Sequence, residues 1–341
     1  MQRAWEIASK SLVEEGWNLD VFEHPLSWPF KPRPVTISKV RGTLFGVAIG
    51  DALGAPNEGK PRRRLLENPL STLQPHNDRP AGTVTDDTDL TLALARSILA
   101  TGTIDPDDLV PRFIEASKNT VAGGWATEQA VSRLERRAAW WLAGTPSAGN
   151  GAAMRAAPVG LFFEEPAEIR RAAFLQAIIT HRDRSAAASA IVNALFVGWL
   201  ARGGPATADA LSWLADAIDG LEVPLASRHQ KRKHNTVAGL VREVADYVGE
   251  PEKAFEHFHT GAFVLETLPS ALAVFLSYPE DPEKTLLTAA HAGDDTDTLA
   301  SMVGGWLGAH LGDRKLRSRT PSNWWSVAAA SEIEKISRLG T

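Results

Sequence analysis

The sequence predicts an all-α, single-domain protein. From Arg41 onward apolar residues recur at helical spacing, and no run alternates apolar and polar residues over the length of a strand. Gly, Pro, Asp and Asn breakers cluster between the periodic segments, at 61–80, 143–151 and 277–282. The 341 residues exceed one average domain, but no Gly/Ser-rich linker divides them into two cores. One domain over 41–341 is therefore expected, preceded by an N-terminal extension at 1–40.

Taken in order, the extension reads as a short helix followed by an extended arm. Its aromatics are scattered, and PLSWPFKPRP carries four prolines in ten residues, which forbids helix there. The first body helix covers 42–53, with small residues placed where another helix can approach closely. Further helices are expected at 90–100, 129–142, 167–179, 185–201, 206–218, 236–248, 267–276, 283–290 and 298–311. The most hydrophobic window, AAASAIVNALFVGWLA at 186–201, is Ala-rich and shorter than the ~20 residues that span a bilayer. Arg184 and Arg202 bound it, so it reads as a buried core helix. Near the C-terminus, Trp324 and Trp325 beside Pro321 read as core or arm packing.

Composition narrows the function. The chain is 44% hydrophobic and 23% charged, as globular proteins are, which excludes a disordered or fibrous class. Thirty-six Lys and Arg against 41 Asp and Glu give −5, too balanced for a dedicated nucleic-acid or membrane-surface protein. Cysteine is absent, so disulfides, thiolate zinc sites, iron–sulfur clusters and cysteine nucleophiles are excluded. MQRAWEIASKSLVEEGW has no apolar stretch before a cleavage site and is not a signal peptide. A cytoplasmic, monomeric protein with no membrane partner is the expectation.

One four-residue string occurs twice. Asp86-Asp87-Thr88-Asp89 and Asp294-Asp295-Thr296-Asp297 each follow a glycine-containing turn and open an apolar helix. Helix capping explains one or two acids per helix start. It does not explain three carboxylates in four residues, twice, because close like charges repel unless a cation neutralises them. Carboxylates and hydroxyls without nearby His suit a hard ion, and two clusters suggest two divalent ions, Mg²⁺ or Mn²⁺. Neither copy has the Gly and Glu spacing of an EF-hand.

Two further loci carry chemistry. In GVAIGDALGAPNEGK, Asp51 and Glu58 lie among glycines that let backbone approach a ligand, although solvated acids at a glycine-rich helix end would look the same. In SAGNGAAMRAAP, Gly149-Asn150-Gly151 precede an Ala-rich segment, and glycine-rich turns can present amides to phosphates.

GVAIGDALGAPNE, TDDTDLTLALA, GNGAAMRAAPVG, THRD and GDDTDTLASMVGG, in this order, resemble the ADP-ribosylglycohydrolase family, across about Arg41 to Gly312. Its members include ADP-ribosyl-arginine and ADP-ribosyl-serine hydrolases. The resemblance implies an all-α fold with a dinuclear Mg²⁺/Mn²⁺ cleft, and cleavage of ADP-ribose from an acceptor. It implies metal ligands at Thr85, Asp86 and Asp87 and at Asp295, Asp297 and Thr298. It implies catalytic roles at Asp51, Glu58 and Asp295, the glutamate lying on a mobile loop. ADP-ribose contacts are implied at Gly149, Asn150, Gly151, Met154 and His181, while Arg155 reads as structural. Two ions about 3.5–4 Å apart polarise substrate oxygens and lower the pKa of a water.

The expected substrate is an ADP-ribosylated protein, with arginine ahead of serine as acceptor. ADP-ribosylated nucleic acid, a small ADP-ribosyl metabolite and a non-catalytic ADP-ribose-binding relative are the alternatives. The basic run ASRHQKRKHN at 226–235 reads as a solvated surface face, and as a nucleic-acid contact only if it borders the cleft. Trp141, Phe162 and Phe263 are the candidates to cover the adenine.

Overall fold

A computed structural model describes residues 1–222 and 235–339; the basic run therefore lies outside the described residues except for Asn235. Among the described residues there is no strand, only isolated bridges. One hydrophobic core takes in side chains from Ala4 to Ile336.

The extension begins with α1 (Gln2–Glu14), which buries Trp5, Ala8 and Leu12. Trp5 meets Phe22 at 4.7 Å between ring centroids, and Phe22 meets Phe174 at 4.9 Å. The proline-rich arm follows, with Trp28 stacked on Trp213 and Phe30 edge-on to Trp199.

Helix α2 (Ile37–Gly54) starts at Thr36, whose hydroxyl accepts from the Lys39 amide. After it come α3 (Arg62–Glu67), α4 (Asp86–Thr101), α5 (Pro106–Asn119), α6 (Trp125–Glu135), α7 (Trp140–Ala143), α8 (Gly151–Met154) and α9 (Ala157–Phe162). The chain continues with α10 (Pro166–Ile178), α11 (Arg184–Ala201), α12 (Asp209–Asp216), α13 (Val237–Glu243) and α14 (Pro251–Phe258). Last are α15 (Val264–Ser277), α16 (Pro282–Ala290), α17 (Thr296–Ser318, broken at Gly312) and α18 (Ala330–Leu339).

Several boundaries differ from the periodicity. The segment 129–142 is two helices, because Arg137 takes a left-handed φ of 63° and α6 closes on the Arg133 and Leu134 carbonyls. Helix α5 was hidden by Pro106, which sits in the first turn where no hydrogen bond is lost. Pro251 opens α14 in the same way, and α3 lies inside the breaker segment 61–80. Helix α11 is long and apolar enough to cross a membrane by composition, but 94% of it is buried inside the protein.

The seam that positions the site is the crossing of α2 with α17. Gly42, Gly46 and Gly50 recur every four residues and face Gly308, Gly304 and Ala300. A Cβ on Gly46 would lie 1.9 Å from the Gly304 carbonyl oxygen, and one on Gly308 would lie 1.9 Å from that of Gly42. The two backbones therefore touch, and any side chain there would force them apart. At the end of the seam Thr296 donates its hydroxyl to the Gly54 carbonyl at 2.9 Å. The start of α17 is thus pinned to the end of α2, beside the loop that carries Glu58.

Candidate active site

The two repeated strings meet across one cleft of about 1000 Å³. Asp86 and Asp87 enter it from the start of α4, and Asp294, Asp295, Asp297 and Thr298 from the start of α17. Glu58 and Gly59 close one side. Gly149, Asn150, Gly151, Met154 and His181 line another.

Burial and like charge dominate the acidic floor. Burial, opposed by the Gly124 amide at 3.2 Å and reinforced by Asp51 and Asp295, pushes the Asp86 carboxyl up to about 7. Burial together with Asp51, Asp86 and Asp295 holds Asp87 well above the carboxylate range, and burial with Asp295, Asp87 and Glu58 does the same to Asp297. Glu58, at the rim, is raised by desolvation and by Asp295. Asp87 Oδ2 accepts from the Thr298 hydroxyl at 3.2 Å, joining the two clusters directly, while the buried Asp87 Oδ1 has no partner.

Asp51 and Thr85 stand behind this lining. The fully buried Asp51 carboxylate accepts from the Thr85 amide at 2.9 Å and hydroxyl at 3.0 Å, and from the Thr88 amide at 3.2 Å and hydroxyl at 2.5 Å. Burial outweighs those bonds and raises it to about 6. Its geometry is that of a clamp on the first turn of α4. It is not among the residues that line the cleft.

The Glu58 loop is held in a two-bond exchange, the Gly59 amide giving to the Asp294 carbonyl at 2.7 Å and the Asp294 amide to that of Lys60 at 3.0 Å. Asp294 reaches this position with a left-handed φ of 55°. Opposite, the loop 145–149 is secured at both ends by bridges, Thr145 with His181 and Gly149 with Phe263.

Within that loop the glycines serve close packing more than amide donation. A Cβ on Gly151 would meet the His181 ring at 2.9 Å. The Gly149 and Asn150 amides already donate to Ser147 Oγ and to the Ala262 carbonyl. Of the three amides expected to cradle phosphate, that leaves Gly151, which opens α8 and has no acceptor within its helix. The Asn150 side chain instead reaches the acidic floor, giving its amide to Asp295 Oδ2 at 2.6 Å and to the Thr267 hydroxyl at 3.0 Å. Burial, aided by Arg155, drives His181 down to about 3, so its imidazole is neutral. Buried Arg155 holds the loop from beneath, bonding Gln176, the Gly151 carbonyl and the Thr180 hydroxyl.

Of the aromatics considered for the adenine, Phe263 lines the cleft, and Trp141 and Phe162 do not. Trp125, Asp183 and Asp294 also line it; in the sequence no site role falls to Trp125, to Asp183 of the THRD motif or to Asp294 of the repeated string. For Trp125 the available signal was a Gly-Gly pair before a tryptophan at a helix start.

With this geometry in view, a family model described as ADP-ribosylglycohydrolase matches residues 32–339. The chain belongs to the ADP-ribosylglycohydrolase family. It is 27% identical to the ADP-ribosylhydrolase ARH3 of Mus musculus, over 85% of this chain and 87% of that one. It is 28% identical to the ADP-ribosylarginine hydrolase Tri1 of Serratia proteamaculans, over 90% and 79%. A solved structure titled ADP-ribosylglycohydrolase-related protein complex superposes with a TM-score of 0.69 at 26% identity, covering 89% of this chain and 97% of that one. The fold is accordingly the ADP-ribosylglycohydrolase fold, and the protein is a glycohydrolase of ADP-ribose conjugates.

The acidic floor fits divalent cations by its donor chemistry. Its donors are hard carboxylate and hydroxyl oxygens, one buried oxygen of Asp87 is orphaned, and mutual repulsion is what a cation would relieve. Among the described residues, no three carboxylates or imidazoles are gathered to coordinating distance of one point.

Proposed function

We propose that this protein hydrolyses the bond between the distal ribose of ADP-ribose and an arginine side chain on protein. The observation that carries the reading is the convergence of Asp86, Asp87, Asp295 and Asp297 with Glu58 on one cleft whose other wall is the Gly149–Gly151 loop. A guanidinium leaving group suits an acidic cleft, and one relative carries the name ADP-ribosylarginine hydrolase.

Asp86 and Asp87 on one side, and Asp295, Asp297 and Thr298 on the other, would hold two divalent ions, Mg²⁺ or Mn²⁺. The Thr85 hydroxyl gives its proton to Asp51 and so keeps its lone pairs for a cation. Bound ions supply Lewis-acid polarisation of the ribose hydroxyls and of an attacking water. Asn150 holds the Asp295 carboxylate in place to take the proton of that water. Glu58, whose carboxyl desolvation and Asp295 hold above the ordinary glutamate value, hands its proton to the departing nitrogen. The neutral His181 and the Gly151 amide orient the ADP-ribose far from the scissile bond, where binding free energy serves positioning. Asp51 is a positioning residue acting through Thr85 and Thr88.

The test is release of ADP-ribose from a panel of defined conjugates, on arginine, serine, nucleic acid and a small alcohol, with and without chelator. Chelator-sensitive release from the arginine conjugate ahead of the others is expected. Preferential release from any other member overturns the acceptor, and full activity in chelator overturns the ions.

A further inference from the structure

Of eleven tryptophans, ten are buried or half-buried and one is exposed. Trp125 is 64% accessible and lines the cleft. Exposure of so large an apolar ring is costly, and the rest of α6 avoids it by turning Ala126, Ala130, Val131 and Leu134 into the core. Its backbone position is tied to the acidic floor. The amide of Gly124, one residue before it, donates to Asp86 Oδ2 at 3.2 Å, and on the other side the Ala126 carbonyl accepts from the Thr145 hydroxyl at 3.0 Å. Gly123 and Gly124, which precede it, carry no side chains of their own, and a Cβ on Gly124 would lie 4.0 Å from Asp86 Oδ2.

We propose that Trp125 is the residue that reads the acceptor, its indole face taking the guanidinium of the ADP-ribosylated arginine while the neighbouring carboxylates face the guanidinium edge. This rests on the arginine reading above and adds to it a specificity determinant. A planar, weakly hydrated cation gains from stacking on an indole and from donating in-plane N–H groups to carboxylates, and arginine alone among acceptors offers both. A serine oxygen offers neither and gains nothing from the ring. The rim thus distinguishes acceptors by a contact that the ADP-ribose half does not make.

Because Trp125 packs on little, Trp125→Ala folds, and its melting temperature checks this. In the full-length protein Trp125→Ala lowers kcat/KM for an ADP-ribosylarginine peptide about tenfold, with Trp125→Phe retaining most of the activity. Turnover of an ADP-ribosylserine peptide, and the inhibition constant of free ADP-ribose, stay within about twofold. A parallel loss of ADP-ribose affinity would mean that the indole serves the nucleotide, and equal losses on both peptides, or none, likewise overturn the proposal. The two readings fail separately. If the wild type cleaves the arginine conjugate and Trp125→Ala is not selective, the acceptor stands and Trp125 falls. If the wild type leaves that conjugate intact, the acceptor itself falls and the assignment with it.

Discussion

The two Asp-Asp-Thr-Asp strings are identical in sequence and are used differently. In the first, helix α4 begins at Asp86, so the whole string lies inside the first turn. Asp86 and Asp87 enter the cleft, Thr88 turns down onto Asp51, and Asp89 lies near Thr120 and Arg96 outside the lining. In the second, helix α17 begins two residues later, at Thr296. Asp294 is left outside the helix at a positive φ, and the first, second and fourth members all reach the cleft. The same four residues thus present different carboxylates because the helix starts at a different place in the string. What sets the start is outside the string: Asp51 clamps Thr85 and Thr88 in one case, and Gly54 accepts from Thr296 in the other.

That difference is broken most strongly by neutralising positions that are equivalent in sequence and not in space. Asp297→Asn should cut turnover by orders of magnitude, whereas Asp89→Asn, at the same place in the other string, should leave it within a few-fold. Adding Mg²⁺ or Mn²⁺ should raise the melting temperature of the wild type and of Asp89→Asn, and much less that of Asp297→Asn. Thermal melts with and without chelator, beside steady-state rates, check both. Equal damage from the two substitutions would mean that the strings are equivalent after all.

Glu58 stands against the second string and not the first, so its removal should look different again. Glu58→Gln should lower kcat by about 10²–10³-fold while the affinity for ADP-ribose stays near the wild-type value, since only the proton is lost. Titration calorimetry with ADP-ribose alongside kinetics separates the two quantities. Unchanged turnover would remove Glu58 from the chemistry.

How much of this was legible follows from where the information lies. Both acidic strings, the Gly149–Gly151 loop and the helical class could be read directly, because composition and local spacing express them. The close approach of α2 was visible as small residues, but its partner was not, since Gly304 and Gly308 lie some 260 residues away in the chain. Asp51 was legible as an acid near the site and not as a clamp, because its four donors are set by packing at a distance. Trp125 was missed for the opposite reason: a helix start with one aromatic carries no pattern, and its place on the cleft depends on the Gly124–Asp86 bond. The amides of Gly149 and Asn150 looked free in sequence and are occupied in the fold.

If the clamp is what places the first string, damaging it should cost stability before chemistry. In Asp51→Asn one carboxylate oxygen becomes an amide nitrogen facing donors, leaving buried amide or hydroxyl groups unpaired. A loss of about 2–4 kcal/mol is expected from such a change. Chemical denaturation measures it, and turnover at temperatures where the variant is folded should fall far less than in Asp297→Asn. A variant as stable as the wild type but inactive would return Asp51 to a direct catalytic role.

The smallest effect is one of pH, read at Asp86 of the first string. Burial raises Asp86 from 3.8 to about 7 in the metal-free protein. A carboxyl whose folded value exceeds its unfolded value binds a proton on folding. Its contribution to stability is therefore complete below about pH 4 and is lost as the pH rises through about 7. Between pH 6 and pH 8 this single group accounts for about 1.4 kcal/mol, a few degrees of melting temperature for a chain of this size. In chelator, the wild type should melt higher at pH 6 than at pH 8. Asp86→Asn, which cannot ionise, should show a flatter dependence. Asp89→Asn should keep more of the wild-type slope, because its carboxyl is less deeply buried and Arg96 favours its ionised form. Saturating divalent ions should flatten the wild-type profile too, since a cation replaces the proton as the group that relieves the buried charge. A wild-type melting temperature that rose from pH 6 to pH 8 in chelator, by as much as in Asp86→Asn, would show that Asp86 is ionised without a cation and that the floor is not self-repelling.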